Sequence, residues 1–153
     1  MAEFRGEVLN ESLKVIRFAG SVLGAQRHVC AFFHSPDEEY RVLLPFIKEG
    51  FERSEKAFHI VDPELREQHV RRLESVGIDV AAAEQSGQFE LRNWADAYFH
   101  EGHFDQDRML ALIQEVLEVG SRQGFVLTRL VAHMEWPSKT GRALITWWNT
   151  RVG

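Results

Sequence analysis

Residues 56–63, Lys-Ala-Phe-His-Ile-Val-Asp-Pro, decide the fold class, and residues 28–36, His-Val-Cys-Ala-Phe-Phe-His-Ser-Pro, repeat their pattern. In each stretch a short apolar run, typical of a strand buried on both faces, precedes a helix N-cap residue and a proline. The two N-cap residues are Ser35 and Asp62. Strands and helices that alternate in this way predict an α/β fold with a mostly parallel sheet.

Apolar periodicity on either side of these stretches predicts the remaining elements. Further strands are predicted over residues 78–82, 89–92 and 125–131. Helices are predicted over 36–51, 64–76 and 139–149, with another that begins after Asp105. An apolar stripe over residues 7–23 predicts an N-terminal helix that Gly24 ends.

The composition restricts the function classes. The 153 residues include 18 Lys and Arg against 23 Asp and Glu, for a formal net charge of −5. This acidic balance argues against direct nucleic-acid binding and against attachment to an anionic membrane, which both need clustered basic residues. Cys30 is the only cysteine, and the sequence contains no apolar run of signal-peptide or membrane-spanning length. We therefore expect a cytoplasmic protein.

The first strand-to-helix loop, residues 33–39, decides whether this fold could bind a nucleotide. It has neither the glycines nor the lysine of a Walker A phosphate loop, and it carries three acidic residues at the helix start. Anion binding at that helix terminus is not expected. Cys30 lies inside an apolar strand, where thiols are usually inert, and no Gly-x-Ser-x-Gly motif is present. A non-catalytic protein is the favoured interpretation.

Aromatic residues concentrate where an open parallel sheet binds ligands, beyond the carboxyl ends of its strands. Trp94, Tyr98, Phe99 and Phe104 lie between a short strand and the long helix, and Trp136 follows the strand over 125–131. Such clusters line pockets for small apolar ligands, although core packing explains any single one of them. Trp147 and Trp148 are adjacent on the predicted final helix, so one can be an interface anchor.

The histidines suggest a second kind of site. His100 and His103 form a His-x-x-His motif, and His34 and His133 could lie near it at the same sheet edge. These four residues are the candidate ligands of a metal or haem. The motif lacks the i, i+4 spacing of helical zinc sites, so we predict no cofactor and keep the metal or haem sensor as an alternative.

Several short motifs occur in an order that resembles the MEDS domain, the methanogen/methylotroph DcmR sensory domain. They are residues 28–33, 38–40, 44–50, 59–63, 77–79, 86–87 and 102–105, followed by Met109, Arg129, Met134 and Trp136. The resemblance implies a RecA/KaiC-like, three-layer α/β sandwich without a phosphate loop. It also implies a sensory module for small molecules, proposed to be hydrocarbon derivatives, joined to a histidine kinase, an anti-sigma-type kinase or a DNA-binding regulator.

The resemblance places the domain over residues 26–153, without the last strand of the family, and leaves residues 1–25 as a helical extension. His133 departs from the family pattern, which usually has a glutamate at that position. The expected function is a non-catalytic sensory domain for a small apolar or amphiphilic ligand, in which Arg129 and the histidines orient a polar group. A ligand-free docking module, including a homodimer, is the alternative. The predicted ligand-binding residues are His34, Tyr40, Asp62, Trp94, Tyr98, His103, Arg129, His133 and Trp136.

Overall fold

The computed structural model describes residues 15–24, 28–100, 103–134 and 142–150, which form a mixed α/β fold. Its strands are β1 (Ile16–Phe18), β2 (Ser21–Leu23), β3 (His28–Phe33), β4 (Lys56–Val61), β5 (Phe89–Asn93), β6 (Phe99–His100), β7 (His103–Phe104), β8 (Leu127–His133) and β9 (Arg142–Thr150). Its helices are α1 (Pro36–Glu52), α2 (Arg66–Glu74), α3 (Val80–Gln85), α4 (Trp94–Tyr98) and α5 (Gln106–Arg122), and a 3-10 turn covers Pro63–Leu65. Within these segments no helix is long and apolar enough to cross a membrane.

The central sheet has five strands in the order β3-β9-β8-β4-β5. Strands β8, β4 and β5 run parallel to one another, whereas β9 lies antiparallel between β3 and β8. The predicted α/β class is thus confirmed, while the predicted final helix over 139–149 is wrong because residues 142–150 form β9. Ile145, Thr146, Trp147 and Trp148 are β-branched or aromatic residues that favour strands, and the two neighbouring strands satisfy the backbone of β9.

The N-terminal segment also differs from its prediction. Residues 16–23 form a β-hairpin and not a helix, and residues 7–14 lie outside the described part of the chain. Ala19 and Gly20 both have positive φ, 50° and 78°, as a two-residue hairpin turn with right-handed twist requires. Ile16 and Phe18 are buried on either side of the exposed Arg17, which is the two-residue period of a strand.

Two other predictions need correction. The apolar run over residues 78–82 predicts a strand, but Asp79 caps α3 by accepting a hydrogen bond from the Ala82 N–H at 3.0 Å. This local cap outweighs the apolar run. The sequence also predicts that β3 is buried on both faces, yet it is an edge strand on which His28, Cys30 and Phe32 are exposed.

Helices cover both faces of the sheet. One apolar core lies between α1, α2, α3 and the face of β4 and β8 that carries Val61 and Val131. The other lies between α4, α5 and the opposite face, which carries Phe58 and Leu130. All six residues of β4 and all seven of β8 are buried, as expected for the centre of a doubly covered sheet. The RecA/KaiC-like arrangement remains a prediction.

Gly120 sets how closely α5 approaches the sheet. A Cβ atom at this position would lie 2.5 Å from Thr128 Oγ1 and 3.1 Å from Lys56 Cδ. Lys56 has little freedom to move, because its Nζ donates to the Gly87 carbonyl and to Gln123 Oε1, both at 2.8 Å. We therefore expect Gly120→Ala to lower the free energy of unfolding by about 1–3 kcal/mol.

Urea denaturation measures this effect. The control is Gly24→Ala, since no atom of the described segments lies within 4 Å of a Cβ built at Gly24. Alanine favours a helix by about 1 kcal/mol over glycine, so the packing clash in Gly120→Ala has to exceed that gain. A Gly120→Ala protein as stable as the wild type would show that α5 can move away from β8 without loss.

Candidate functional site

The start of α1 is fixed by a reciprocal cap. The Glu38 N–H donates to Ser35 Oγ at 3.2 Å, and the His34 N–H donates to Glu38 Oε2 at 2.7 Å. The pair resembles a capping box, except that Glu38 binds the N–H of the residue before the N-cap. It satisfies one free N–H of the helix N-terminus and fixes the backbone that leads into it. It also fixes the first turn of α1, so that Glu39 and Tyr40 point into the protein and are 1% and 3% exposed.

Tyr40 begins a chain of buried hydrogen bonds that joins three elements. Its Oη lies 2.7 Å from His69 Nδ1 on α2, and His69 Nε2 lies 2.8 Å from His59 Nδ1 on β4. Both histidines are at most 1% exposed. Each link therefore connects a different helix or strand: α1 to α2, and α2 to the sheet.

His133, the last residue of β8, joins the same region. Its Nε2 lies 3.0 Å from Glu39 Oε1, and both side chains are 2% exposed. Its ring centroid is 5.6 Å from that of His69 and 6.4 Å from that of Tyr40. We call Glu39, Tyr40, His59, His69 and His133 the buried polar cluster. It lies toward the carboxyl ends of β4 and β8, beside the first turns of α1 and α2.

Burial keeps two histidines of this cluster neutral. Burial first, and then the neighbouring His69 and His133, hold the pKa of His59 well below its ordinary value of 6.5. Burial, with a smaller contribution from Arg66, lowers the pKa of His69 to about 4. A neutral imidazole has one N–H donor and one acceptor nitrogen. If Tyr40 donates to His69, then His69 must donate to His59, and reversing one bond reverses the other.

Arg129 forms a second buried network, four residues before His133 on β8. Its Nε lies 2.5 Å from Glu55 Oε2, and its Nη1 donates to the Phe46 carbonyl at 2.7 Å. Glu49 Oε2 accepts from Nη1 and Nη2 at 3.1 Å each. Within the described residues, this guanidinium binds Phe46 and Glu49 of α1 and Glu55, which follows the helix. Arg129 therefore holds α1 on the sheet.

Of the nine residues predicted to bind a ligand, the structure brings Tyr40 and His133 together. Arg129 belongs to the separate network beneath α1. His34 is exposed beside the α1 cap, and Asp62 caps the 3-10 turn by accepting from the Glu64 N–H at 2.9 Å. Trp94 is half-buried and packs against the core on the α5 side. The side chains of Tyr98 and His103, the whole of Trp136, and the side chains of the predicted interface residues Trp147 and Trp148 lie outside the described residues.

The proposed metal ligands do not form a described site. His34 is exposed, whereas His133 is buried against Glu39. The side chains of His100 and His103 lie outside the described residues. Within the described segments, no group of three or more His, Cys, Asp or Glu side chains is arranged to hold a metal ion.

Two surface grooves are found on the α1 side of the protein. One, of about 490 Å³, lies between α1 and α3 and includes Phe51 and Ile78. The other, of about 470 Å³, lies between α1 and the β1–β2 hairpin and includes Phe18 and Arg41. None of the nine predicted ligand-binding residues lines either groove.

Sequence reasoning did not select His59 and His69 as site residues, although the signal for their burial was present. His59 lies inside the apolar run over 56–61, and His69 lies on the apolar face of the predicted helix with Leu73. Both positions predict buried imidazoles, and buried polar groups need partners. What the sequence could not supply was that these partners are each other and Tyr40.

Comparison with known families gives one match. Residues 27–151 match the family model for the MEDS domain, described as MEthanogen/methylotroph, DcmR Sensory domain. Searches of curated proteins and of solved structures found no significant match. The matched region includes the whole of the buried polar cluster and begins after the β1–β2 hairpin.

Proposed function

Because the chain belongs to the MEDS family of sensory domains, we propose that it senses a small, mainly apolar molecule and reports to a signalling protein. The ligand would bind at the carboxyl edge of the parallel strands, where its polar group would contact the buried polar cluster. The observation that supports this proposal is the cluster itself. Five polar side chains, each at most 3% exposed, lie toward the edge at which sheets of this type bind ligands.

A purely structural role explains the cluster less well. A buried polar group that loses its partner costs about 1–3 kcal/mol, and apolar residues of similar shape can replace a buried pair at little cost. Polar side chains at the sheet edge where ligands bind can instead release a protein partner and bind a polar group of the ligand. Glu39 and His133 are the outermost pair of the cluster, since His133 ends β8 two positions beyond the residue that pairs with His59.

The connections of the cluster provide a route for the signal. A ligand that displaces Glu39 from His133 acts on the first turn of α1, which also carries Tyr40. Tyr40 is bonded to His69 on α2, and His69 to His59 on β4. Ligand binding would therefore change how α1 and α2 sit on the sheet, and a kinase or a transcription regulator could read that change at the surface.

The chemistry of the cluster also selects a ligand class. The imidazoles of His59 and His69 are held neutral by burial. The cluster also contains the Glu39 carboxylate, so burying a second carboxylate beside it would be unfavourable. A neutral hydroxyl or carbonyl group can form a hydrogen bond with the cluster and avoids that cost. We expect short-chain alcohols and ketones to bind more tightly than carboxylates of the same chain length.

Thermal unfolding and tryptophan emission test this expectation with C4–C8 alcohols, ketones and carboxylates. A ligand at a hundred times its dissociation constant should stabilise the protein by about 2.7 kcal/mol. His133→Gln and Tyr40→Phe should each weaken binding at least tenfold. The matched control is His28→Gln, since His28 is also exposed but lies at the amino end of β3, away from the proposed site. The proposed site is wrong if no probe stabilises the protein. It is also wrong if a probe binds His133→Gln and Tyr40→Phe as tightly as it binds the wild type.

A further inference from the structure

The two edges of the central sheet are unlike each other. At one edge, β5 carries Glu90 and Arg92, which form an ion pair at 2.6 Å. At the other edge, the six residues of β3 include no Lys, Arg, Asp, Glu or Pro. Charged side chains and prolines are the usual means by which proteins prevent an edge strand from pairing with another chain. By this criterion β5 is protected and β3 is not.

The outer face of β3 is also exposed. Every second residue of β3 lies on this face, namely His28, Cys30 and Phe32. The Phe32 ring is 79% exposed. Val29, Ala31 and Phe33, on the other face, are half-buried or buried and contact the core beneath α1. Among the described strands, β3 pairs with β9 on one side. Its other side therefore presents a row of backbone donors and acceptors, beside exposed side chains that include no Lys, Arg, Asp or Glu.

We propose that β3 is a homodimer interface, in which the β3 strands of two copies of this chain pair antiparallel across a two-fold axis and extend the sheet. This inference does not depend on the proposed ligand. Uncharged strands suit self-pairing, because two identical copies bring no like charges opposite each other. Two-fold dimers through a self-complementary patch are also the commonest soluble oligomers.

Geometry limits the register of such a dimer. Residues directly opposite each other in a sheet point to the same face, so the two residue numbers of each pair must both be even or both be odd. In a strand over 28–33, the longest pairings that meet this condition cover five residues of each copy. One is centred on Cys30, opposite Cys30 of the second copy, and the other is centred on Ala31. The Cys30 register places His28 of each copy opposite Phe32 of the other, so the dimer contains two such pairs. Aromatic cross-strand pairs are favourable, and this pairing covers the exposed Phe32 ring. We assign the Cys30 register.

Sedimentation velocity at 1–100 μM tests the dimer. We expect the wild type to associate to twice its 17.7 kDa mass. Phe32→Lys should raise the dissociation constant at least tenfold, since a lysine protects an edge strand. Val126→Lys is the matched control, because Val126 is a comparably exposed apolar residue, at 73%, away from β3. It should leave association unchanged.

Oxidative cross-linking tests the register. In the Cys30 register the two Cys30 Cα atoms lie about 4.5–5.5 Å apart, within the range of a disulfide. Copper-phenanthroline, which oxidises paired thiols, should therefore link the wild-type chains, whereas Cys30→Ser/Phe32→Cys should not be linked. A protein that is monomeric at 100 μM, or a dimer that tolerates Phe32→Lys, would overturn the interface. Linking of Cys30→Ser/Ala31→Cys, but not of the wild type, would overturn the register.

Discussion

Replacing Arg129 with methionine is expected to lower the free energy of unfolding by about 3–5 kcal/mol, because it leaves the buried Glu55 carboxylate without its main counter-ion. Arg129 and Glu55 are 2% and 7% exposed, and Arg129 also binds Glu49 and the Phe46 carbonyl. Burial raises the pKa of Glu55, and Arg129 is the main group that opposes that rise. Without Arg129, Glu55 must either stay charged in an apolar setting or take up a proton.

Chemical denaturation of matched variants isolates this effect. Arg71→Met removes an exposed arginine whose ion pair with Glu67, at 2.8 Å, is also exposed, so it should cost less than about 1 kcal/mol. The double variant Arg129→Met/Glu55→Leu should recover much of the lost stability, since it also removes the orphaned charge. Equal effects of Arg129→Met and Arg71→Met would show that the network beneath α1 is not a buried ion cluster.

Acid is expected to destabilise the protein through the buried histidines. His69 has a folded pKa of about 4 against an unfolded value near 6.5. Between these values the unfolded chain binds a proton that the folded protein does not, so the free energy of unfolding falls as the pH falls. Lowering the pH by one across this range costs about 1.4 kcal/mol for each such proton, so His69 alone should account for about 3 kcal/mol between pH 7 and pH 4.

Other groups modify this profile in directions that can be separated. His59 acts in the same direction as His69, since its folded pKa is also lowered. Glu55 acts in the opposite direction, because its raised pKa favours the folded state at low pH. Urea midpoints measured from pH 7 to pH 4 should therefore change less steeply in His69→Gln than in the wild type. His34→Gln, at an exposed position, should reproduce the wild-type slope, and a similar slope in His69→Gln would contradict the assignment.

The sequence predicts a helix or strand correctly where the local residue pattern and the packing in the fold favour the same structure. The apolar run over 56–61 is a fully buried strand, and Ser35 and Asp105 cap the helices that follow them. The errors fall on segments that tertiary contacts decide. Residues 142–150 form a strand because their backbone pairs with β3 on one side and with β8 on the other. Residues 16–23 have an apolar spacing compatible with a helix, and the Ala19-Gly20 turn decides otherwise.

The candidate site was predictable only in part, for a related physical reason. Tyr40 and His133 follow from their positions near the carboxyl ends of strands. The sequence predicts Arg129 at the same edge. However, alternate residues of β8 face α1, and Arg129 there binds Glu49 of α1 and Glu55, which lies just before β4. The link from Tyr40 through His69 to His59 depends on how α1 and α2 pack together, and no local spacing specifies this.

The position of β9 between β3 and β8 also sets the order in which the chain can assemble. Its partner β3 is made near the start of the described chain and β9 at its end. During synthesis, β3 must therefore wait, at usual elongation rates for on the order of ten seconds, for its neighbour to leave the ribosome. Pairing over so long a sequence separation slows folding, and it leaves an uncharged, aromatic strand accessible to other nascent chains in the meantime.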